Sequence, residues 1–161
     1  MKLPVRNLCH IPAELGYVDA AVTADAIATP VHVLRERAQV KAPETVLIVG
    51  AGGGVGIHMV QMAKVLGARV IAVDISAEKL ALAKEMGADE LINSQEAGFD
   101  EEARRLTRGR GVDVVVEMVG LTETLEASLR SLGKGGRLVF VGPYDDGAIL
   151  PLNPRSLTGE L

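Results

Sequence analysis

The sequence predicts an α/β fold in which helices cover a parallel sheet. Short apolar runs alternate with longer segments of helical spacing along most of the chain. The first run, residues 46–49, is apolar throughout, which is typical of a strand buried on both faces of a parallel sheet. Strands that are separated by helices are joined by right-handed crossovers, and such connections produce parallel pairing.

The remaining strands and helices follow in alternation. Ser76 is a good N-cap for the second helix of the sheet region, and Gly87 is a good residue to end it. The pair Asp146-Gly147 indicates a turn after the last strand. The predicted strands are residues 46–49, 69–73, 90–93, 113–119 and 137–141. The predicted helices are residues 56–66, 77–86, 99–107 and 122–132.

The first 44 residues differ from the rest, because prolines at positions 4, 12, 30 and 43 interrupt them. Between these prolines the segment is mostly helix-forming. We expect helices over residues 17–28 and 31–38 that pack on the sheet. Two units are therefore expected, a leading segment over residues 1–44 and a sheet domain over residues 45–161.

Composition argues against several classes of protein. Seventeen basic and 21 acidic residues give a net charge of −4, which is a poor balance for a nucleic-acid binder. A single cysteine, Cys9, excludes an internal disulfide and a paired-cysteine zinc site, and it fits a cytoplasmic protein. Residues 45–63 carry no formal charge, but their five glycines and mixed spacing indicate a strand, a loop and a helix rather than a membrane span. We expect neither a membrane nor a nucleic acid as a partner.

A glycine-rich loop after the first strand is the main chemical signal. The run from Gly50 to Gly56 is spaced one residue longer than the simplest dinucleotide fingerprint. A helix that begins here directs unpaired N–H groups and its positive dipole end at the loop, and glycines let a pyrophosphate approach the backbone. The loop therefore predicts an anion site. The alternative is a turn whose glycines only permit tight helix–sheet packing.

Asp74 predicts which dinucleotide binds. It ends the second strand, 24 residues after Gly50, close to the spacing of a carboxylate that holds the ribose hydroxyls. Such a carboxylate repels a 2′-phosphate, and no arginine follows at Ile75 or Ser76. The predicted cofactor is therefore NAD rather than NADP. The alternative is that Asp74 is a simple turn or cap residue.

In combination, these motifs resemble the cofactor domain of the medium-chain dehydrogenases/reductases, the zinc-type alcohol dehydrogenase superfamily. The glycine loop, Asp74 and Lys79 match it in order, and so do residues 87–89, 112–115 and 132–139. The resemblance covers essentially the whole chain. It implies a Rossmann-type doubly wound parallel sheet with strand order 3-2-1-4-5 and NAD lying across the strand ends.

The resemblance also implies residues for the adenosine and pyrophosphate groups. Asp74 and Lys79 would hold the adenosine ribose, although Lys79 taken alone is typical of a solvated helix residue. The glycine loop would cradle the pyrophosphate. The loop residues assigned to the cofactor are Gly50, Gly52, Gly53, Gly54 and Val55.

Two further pairs are implied on the nicotinamide side. Val119 and Gly120, at the end of the fourth strand, would line the cofactor cleft. Val141 and Gly142, at the end of the fifth, would offer backbone groups to the nicotinamide carboxamide. Taken alone, the two valines are typical of core residues.

Asp25 and Thr29 resemble the family stretch that carries a catalytic-zinc ligand, usually cysteine, and a threonine four residues later near the nicotinamide. A carboxylate can bind zinc, which would polarise an alcohol oxygen so that hydride can leave. Both residues are therefore catalytic candidates, with Asp25 as one ligand of an incomplete zinc site. The alternative is that Asp25 is a buried or capping acid in a zinc-independent relative.

In this family the other zinc ligands lie in a preceding barrel domain, and the sheet has a sixth strand. We expect both to be absent from this chain, so that residues 1–44 would include the exit from that domain. The fifth strand would then be an exposed edge that pairs with a second copy of the chain or with the chain's own tail.

Three functions remain open from the sequence. The first is the NAD(H)-binding domain of an enzyme that interconverts a small alcohol and an aldehyde or ketone, the isolated chain binding cofactor without turnover. The second is the domain of a zinc-free, NADPH-dependent quinone or enoyl reductase. The third is a dinucleotide-binding module without catalysis. Asp74 favours the first over the second, and no residue requires the third.

Overall fold

The computed structural model describes residues 2, 4–142, 145–150 and 152. Their strands are β1 Thr45–Val49, β2 Arg69–Asp74, β3 Glu90–Asn93, β4 Val112–Glu117 and β5 Leu132–Phe140. Their helices are α1 Tyr17–Ala21, α2 Ala28–Val31, α3 Gly54–Val65, α4 Ala77–Glu85, α5 Phe99–Leu106 and α6 Thr122–Ser131. All strand pairs are parallel, in the order β3-β2-β1-β4-β5. The predicted fold class and strand order are confirmed.

The central strand β1 is buried on both faces, as its apolar run predicts. Val46 and Ile48 belong to the core that includes side chains of α3 and α4. Leu47 and Val49 belong to the core on the other face, with side chains of α5 and α6. The uncharged stretch 45–63 is thus β1, a loop and most of α3. Within the described part of the chain, no helix has the length and apolarity to cross a membrane.

Local sequence signals set most helix ends. Ser76 caps α4, where its hydroxyl accepts the Lys79 N–H at 3.3 Å, and Gly87 follows the helix with φ +108°. Helix α3 begins at Gly54, two residues before the predicted start. The earlier start matters for function because it places more of the glycine loop in the first helical turn.

Strand β4 is shorter than predicted. It ends at Glu117 rather than Val119, because the N–H groups of Val119 and Gly120 donate to the Glu117 carboxylate. A backbone turn held by an acid therefore replaces the last predicted strand residues.

Strand β5 starts earlier than predicted. Leu132 already pairs with Val112, and Arg137 then pairs with Val114 after residues 133–136 have left the register. The close approach of residues 111 and 133 at this irregularity requires glycine, because a Cβ on Gly111, which has φ +82°, would lie 2.5 Å from the N atom of Gly133. The prediction of a helix through Leu132 and a strand from Arg137 missed this irregular pairing.

The predicted helix over residues 17–28 is confirmed at its start, Tyr17, but not in its length. Helix α1 ends at Ala21, a 3₁₀ turn covers Val22–Ala24, and Asp25 has non-helical angles of −135° and −64°. The Thr23 hydroxyl bonds to the Ala20 carbonyl at 2.6 Å, an alternative to regular helix that threonine offers. The second predicted helix is present, as α2 continued by a π-helix over His32–Arg37 that buries two apolar side chains.

A charged clamp ties the leading segment to the edge strand. Arg137 of β5 donates to both carboxylate oxygens of Glu44, at 3.0 and 2.7 Å, and to the carbonyl of Ala38. The hydrogen bond from Arg137 holds the pKa of the Glu44 carboxyl below its ordinary value. This contact joins positions that are far apart in sequence. It lies near the amino end of β1, whereas the glycine loop lies at the carboxyl end of that strand.

Among the described residues β5 pairs with β4 alone, so it is the edge strand that the sequence predicts. The following segment crosses the start of α6, where the Ile149 N–H donates to the Thr122 hydroxyl at 3.0 Å. That part of the tail does not pair with β5. Association of two copies through this edge stays a prediction.

Candidate functional site

The predicted cofactor residues converge at the carboxyl edge of the sheet. The glycine loop follows β1, Asp74 ends β2, the turn 118–120 follows β4, and residues 141–142 follow β5. Strand β1 lies between β2 and β4, so the chain moves outward in opposite directions from this strand. Ligands of open α/β sheets bind at such a switch point.

The glycine loop is fixed by backbone contacts. The N–H groups of Gly50 and Ala51 both donate to the Val73 carbonyl, at 2.9 and 3.0 Å. Gly50 has φ +82°, which favours glycine, and a Cβ on Gly56 would lie 2.2 Å from the Gly50 carbonyl oxygen. Gly56 therefore lets α3 pack against its own loop, which is the structural role that the alternative interpretation gave to the whole motif.

Gly53 and Gly54 are different, because they leave open space. A Cβ on Gly54 would meet nothing within 4 Å, and one on Gly53 would meet only the Gly50 oxygen, at 3.4 Å. No side chain caps α3 at this end. The first-turn N–H groups and the missing side chains together form a cradle of the kind that accepts a pyrophosphate, so the residues present fit a dinucleotide.

Asp74 is 8% exposed, and its carboxylate holds the glycine loop. Its Oδ2 accepts the Gly52 N–H at 2.9 Å, and its Oδ1 accepts the N–H groups of Ile75 and Ser76 at 2.8 and 3.2 Å. A carboxylate has acceptor capacity beyond three bonds. The turn role and the predicted ribose role are therefore compatible in one side chain.

Lys79 lies beside the loop on the first turn of α4. Its Cβ is 2.3 Å from the place that a Cβ on Gly52 would take, so Gly52 must be glycine for the Lys79 stem to pass. Lys79 is exposed, and its predicted contact with the ribose stays a prediction.

Sequence reasoning missed Glu117, which is 0% exposed at the end of β4. It accepts hydrogen bonds from Val119, Gly120 and the Thr124 hydroxyl. An acid that directly follows a run of buried valines was the available signal. The turn it holds carries the predicted residue Val119, which is 40% exposed and has its Cγ2 3.3 Å from the Cβ position of Gly50.

At the end of β5, one of the backbone groups predicted to bind the nicotinamide carboxamide already has a partner. The Val141 N–H donates to the Glu117 carbonyl at 2.8 Å, so this group is engaged in the sheet. The Val141 carbonyl and the exposed Gly142 are what remain of the backbone groups predicted for the nicotinamide carboxamide.

Asp25 and Thr29 bond to each other, the Thr29 hydroxyl donating to Oδ1 of Asp25 at 2.8 Å. Asp25 is exposed rather than buried. In the described part of the chain no three histidine, cysteine or acidic side chains are grouped so that they could hold a metal. These residues alone do not fit a zinc ion, and the assignment of Asp25 as one zinc ligand stays a prediction.

Known proteins resemble this chain over most of its length. Residues 54–160 match the family model described as zinc-binding dehydrogenase. An acryloyl-coenzyme A reductase of Metallosphaera sedula is 37% identical over 144 residues, which cover 89% of this chain and 41% of that protein. An NAD-dependent alcohol dehydrogenase of Saccharolobus solfataricus is 39% identical over 131 residues, which cover 81% and 38%. The chain spans about two fifths of the length of these curated relatives.

Solved structures agree with the fold. The crystal structure of AibC matches with a TM-score of 0.90 and 44% identity, covering 98% of this chain and 44% of that one. A quinone oxidoreductase of Pseudomonas syringae matches with a TM-score of 0.87 and 32% identity, covering 98% of this chain and 48% of that one. Mycobacterial Rv1454c complexed with NADPH matches with a TM-score of 0.81 and 34% identity, covering 93% of this chain and 46% of that one. The chain belongs to the zinc-binding dehydrogenase family, within the dinucleotide-binding medium-chain dehydrogenases/reductases.

Proposed function

We propose that this chain is the NAD(H)-binding domain of an alcohol dehydrogenase-like oxidoreductase that transfers a hydride between a small alcohol and NAD. The observation that carries the proposal is the nearly buried carboxylate of Asp74, bonded to the glycine loop at the carboxyl end of β2. It supports a site for a dinucleotide whose ribose hydroxyls are free.

The order of the strands gives the cofactor a direction. The adenosine ribose would lie at Asp74 after β2, and the pyrophosphate at Gly53 and Gly54 after β1. The other half of the molecule would then extend over the ends of β4 and β5. When bound, the nicotinamide supplies the group that accepts or donates hydride. The residues of this chain bind it and fix its orientation, which is their contribution to catalysis.

Charge around the ribose position supports NAD over NADP. A 2′-phosphate would stand next to the Asp74 carboxylate, and such a juxtaposition of like charges costs several kcal/mol. Ile75, at the position after the carboxylate, is 61% exposed and brings no positive charge. At the end of the neighbouring strand, Asn93 donates to the Glu96 carboxylate at 2.6 Å, which adds a second acid on this side.

We further propose that the 161-residue chain binds cofactor without turning over an alcohol. Its described residues offer one zinc-ligand candidate, Asp25, bonded to Thr29. Residues 45–161 would act as the cofactor domain and residues 1–44 as a leading segment, with the substrate groups supplied by further parts of the enzyme.

A second candidate is the cofactor domain of an NADPH-dependent, zinc-free reductase of quinones or enoyl compounds. It is favoured by the similarity to an acryloyl-coenzyme A reductase and a quinone oxidoreductase, and to a structure that holds NADPH. The two candidates differ in the cofactor that they require.

Calorimetric titration of the purified chain with NADH and with NADPH separates them. We expect NADH to bind at least about tenfold more tightly, because of the charge at Asp74. The variant Ile75→Arg should reduce that preference by giving a 2′-phosphate a partner, whereas Leu82→Arg, at an exposed position of α4, should leave it unchanged. Tighter binding of NADPH to the unmodified chain would establish the second candidate instead.

A further inference from the structure

Glu117 is a buried acid to which the proposed function assigns no task. Its carboxylate accepts the N–H of Val119 at 3.0 Å and the N–H of Gly120 at 3.1 Å, and the Thr124 hydroxyl lies 2.9 Å from Oε1. The two N–H groups can only donate, and they suit a charged carboxylate, which only accepts, whereas the Thr124 hydroxyl is shared with the Leu121 carbonyl at 3.0 Å. A neutral acid would carry its own proton toward the two N–H donors.

No cation neutralises this charge within the described residues, because none of their ion pairs includes Glu117. Asp145, whose N–H donates to the Gly120 carbonyl at 3.3 Å, is a second acid near the turn, but it is exposed and screened by solvent. Among the described residues, the charge of Glu117 is therefore balanced by hydrogen-bond dipoles and not by an ion pair. In a protein interior the field of such a charge extends further than it does in water.

The turn that Glu117 holds also forms one side of the cleft. On one side of the turn, Val119 and Gly120 donate to the carboxylate, and on the other Val119 approaches Gly50 of the glycine loop. Under the proposed function, the adenosine ribose lies at Asp74 and the pyrophosphate at the start of α3. The nicotinamide half then lies over the end of β4, on the side where Glu117 is buried.

We propose that Glu117 is a positioning residue whose buried charge stabilises the oxidised cofactor, NAD⁺, over the reduced cofactor, NADH. The inference rests on the proposed function. The nicotinamide ring carries a positive charge in NAD⁺ and none in NADH, so a fixed negative charge beneath this part of the site distinguishes the two forms. Under the proposed function the bound cofactor would supply the hydride, and its ring would be a cation once the hydride had gone, which is the form that a negative charge at Glu117 would favour. Glu117 thus biases the bound pair toward reduction of the substrate.

The test is the ratio of two dissociation constants, measured by calorimetry for NAD⁺ and for NADH with the 161-residue chain and with Glu117→Gln. Glutamine keeps the size of the side chain, and with its amide oxygen at the position of Oε1 it can still accept from Val119, Gly120 and Thr124. We expect Kd(NAD⁺)/Kd(NADH) to rise about tenfold, the effect of one unit charge at about 12 Å and an effective dielectric constant near 20. Glu123→Gln, an equal change of charge at an exposed position on α6, should leave the ratio within about twofold.

A purely structural role would weaken both forms in the same proportion and leave the ratio unchanged, which would overturn the inference. If the unmodified chain binds neither form, the proposed function fails and this inference fails with it. Binding of both forms with an unchanged ratio in Glu117→Gln overturns the inference alone. If Glu117→Gln does not fold, Leu121→Lys adds a positive charge beside the same turn and Leu121→Gln is its uncharged control, both measured at low ionic strength, where an exposed charge is less screened. The lysine variant should then have the higher ratio, and equal ratios would refute the role of charge.

Discussion

The substitution Gly54→Ala should make the protein more stable and a poorer binder at the same time. Gly54 is the first residue of α3, and a Cβ there would meet no atom within 4 Å. Alanine therefore adds no clash, and it restricts the unfolded chain, a gain of about 0.4–1 kcal/mol in the free energy of unfolding. For a domain of this length, the melting temperature should rise by about 1–4 °C.

The same methyl group occupies the space that the proposed pyrophosphate needs. Overpacking of a well-fitted site costs about 1–3 kcal/mol, which corresponds to a loss of affinity of about 5- to 150-fold. Calorimetry with NADH measures this loss. ADP, which carries the pyrophosphate, should lose affinity in the same way, and AMP, which lacks it, should lose less.

Gly56→Ala is the matched control, two residues further along the same helix. Its Cβ would lie 2.2 Å from the Gly50 oxygen and 2.8 Å from the Ala51 oxygen, both backbone atoms, so the loop must move. We expect a loss of stability above about 2 kcal/mol. If Gly54→Ala is stable and binds NADH with unchanged affinity, the pyrophosphate does not lie at the start of α3 and the proposed site is wrong.

Two further predictions concern the fold. Glu44→Gln should lower the free energy of unfolding by about 1–2 kcal/mol near pH 7, because it removes the charge that pairs with Arg137. The pKa of Glu44 is lowered in the folded state. The stabilisation by this carboxylate is therefore complete above the ordinary pKa of 4.5 and is lost as the pH falls through the folded-state pKa. Urea unfolding at pH 7 and pH 3 should therefore show the gap between wild type and variant closing in acid, whereas a constant gap would contradict the ion pair as its cause. Gly111→Ala should destabilise the protein far more than Gly109→Ala. Both glycines have φ near +80°, but only a Cβ at Gly111 would meet backbone, at 2.5 Å from the N atom of Gly133. Similar melting temperatures of the two variants would show that the backbone around Gly133 can move to make room.

The sheet could be predicted from sequence because its signals are local. A run of apolar residues, a capping serine and a helix-ending glycine act within a few positions, and they placed β1 and α4 correctly, while the strand order followed from the resemblance to the family. The leading segment could not be predicted in the same way. Its helical composition predicted a long helix over residues 17–28, but the Thr23 hydroxyl bonds to the Ala20 carbonyl, and residues around Ala38 are held by Arg137, almost a hundred positions away.

In the candidate site, too, local motifs could be predicted from the sequence, whereas roles that depend on contacts in the folded chain could not. Gly53 and Gly54 could be recognised because their spacing after a strand is a local motif, and the structure shows the open space that the motif requires. Gly56 belongs to the same run but serves packing, a difference that depends on the Gly50 oxygen and that no spacing rule expresses. The sequence could therefore identify the loop, while only the structure separates the glycines that leave open space, Gly53 and Gly54, from those that packing requires, Gly52 and Gly56.

Asp74 and Glu117 show why a motif found only one of two equivalent acids. Each stands at the carboxyl end of a strand next to β1, and each accepts N–H groups of the turn that follows its strand. Asp74 also bonds to Gly52 and keeps an exposed part, so it can serve both loop and ligand, whereas Glu117 is closed off by Thr124. Because Asp74 holds the loop in addition to its proposed ribose contact, its replacement would affect both. Cofactor choice is therefore tested more cleanly at Ile75, which binds nothing in the loop, than at the carboxylate itself.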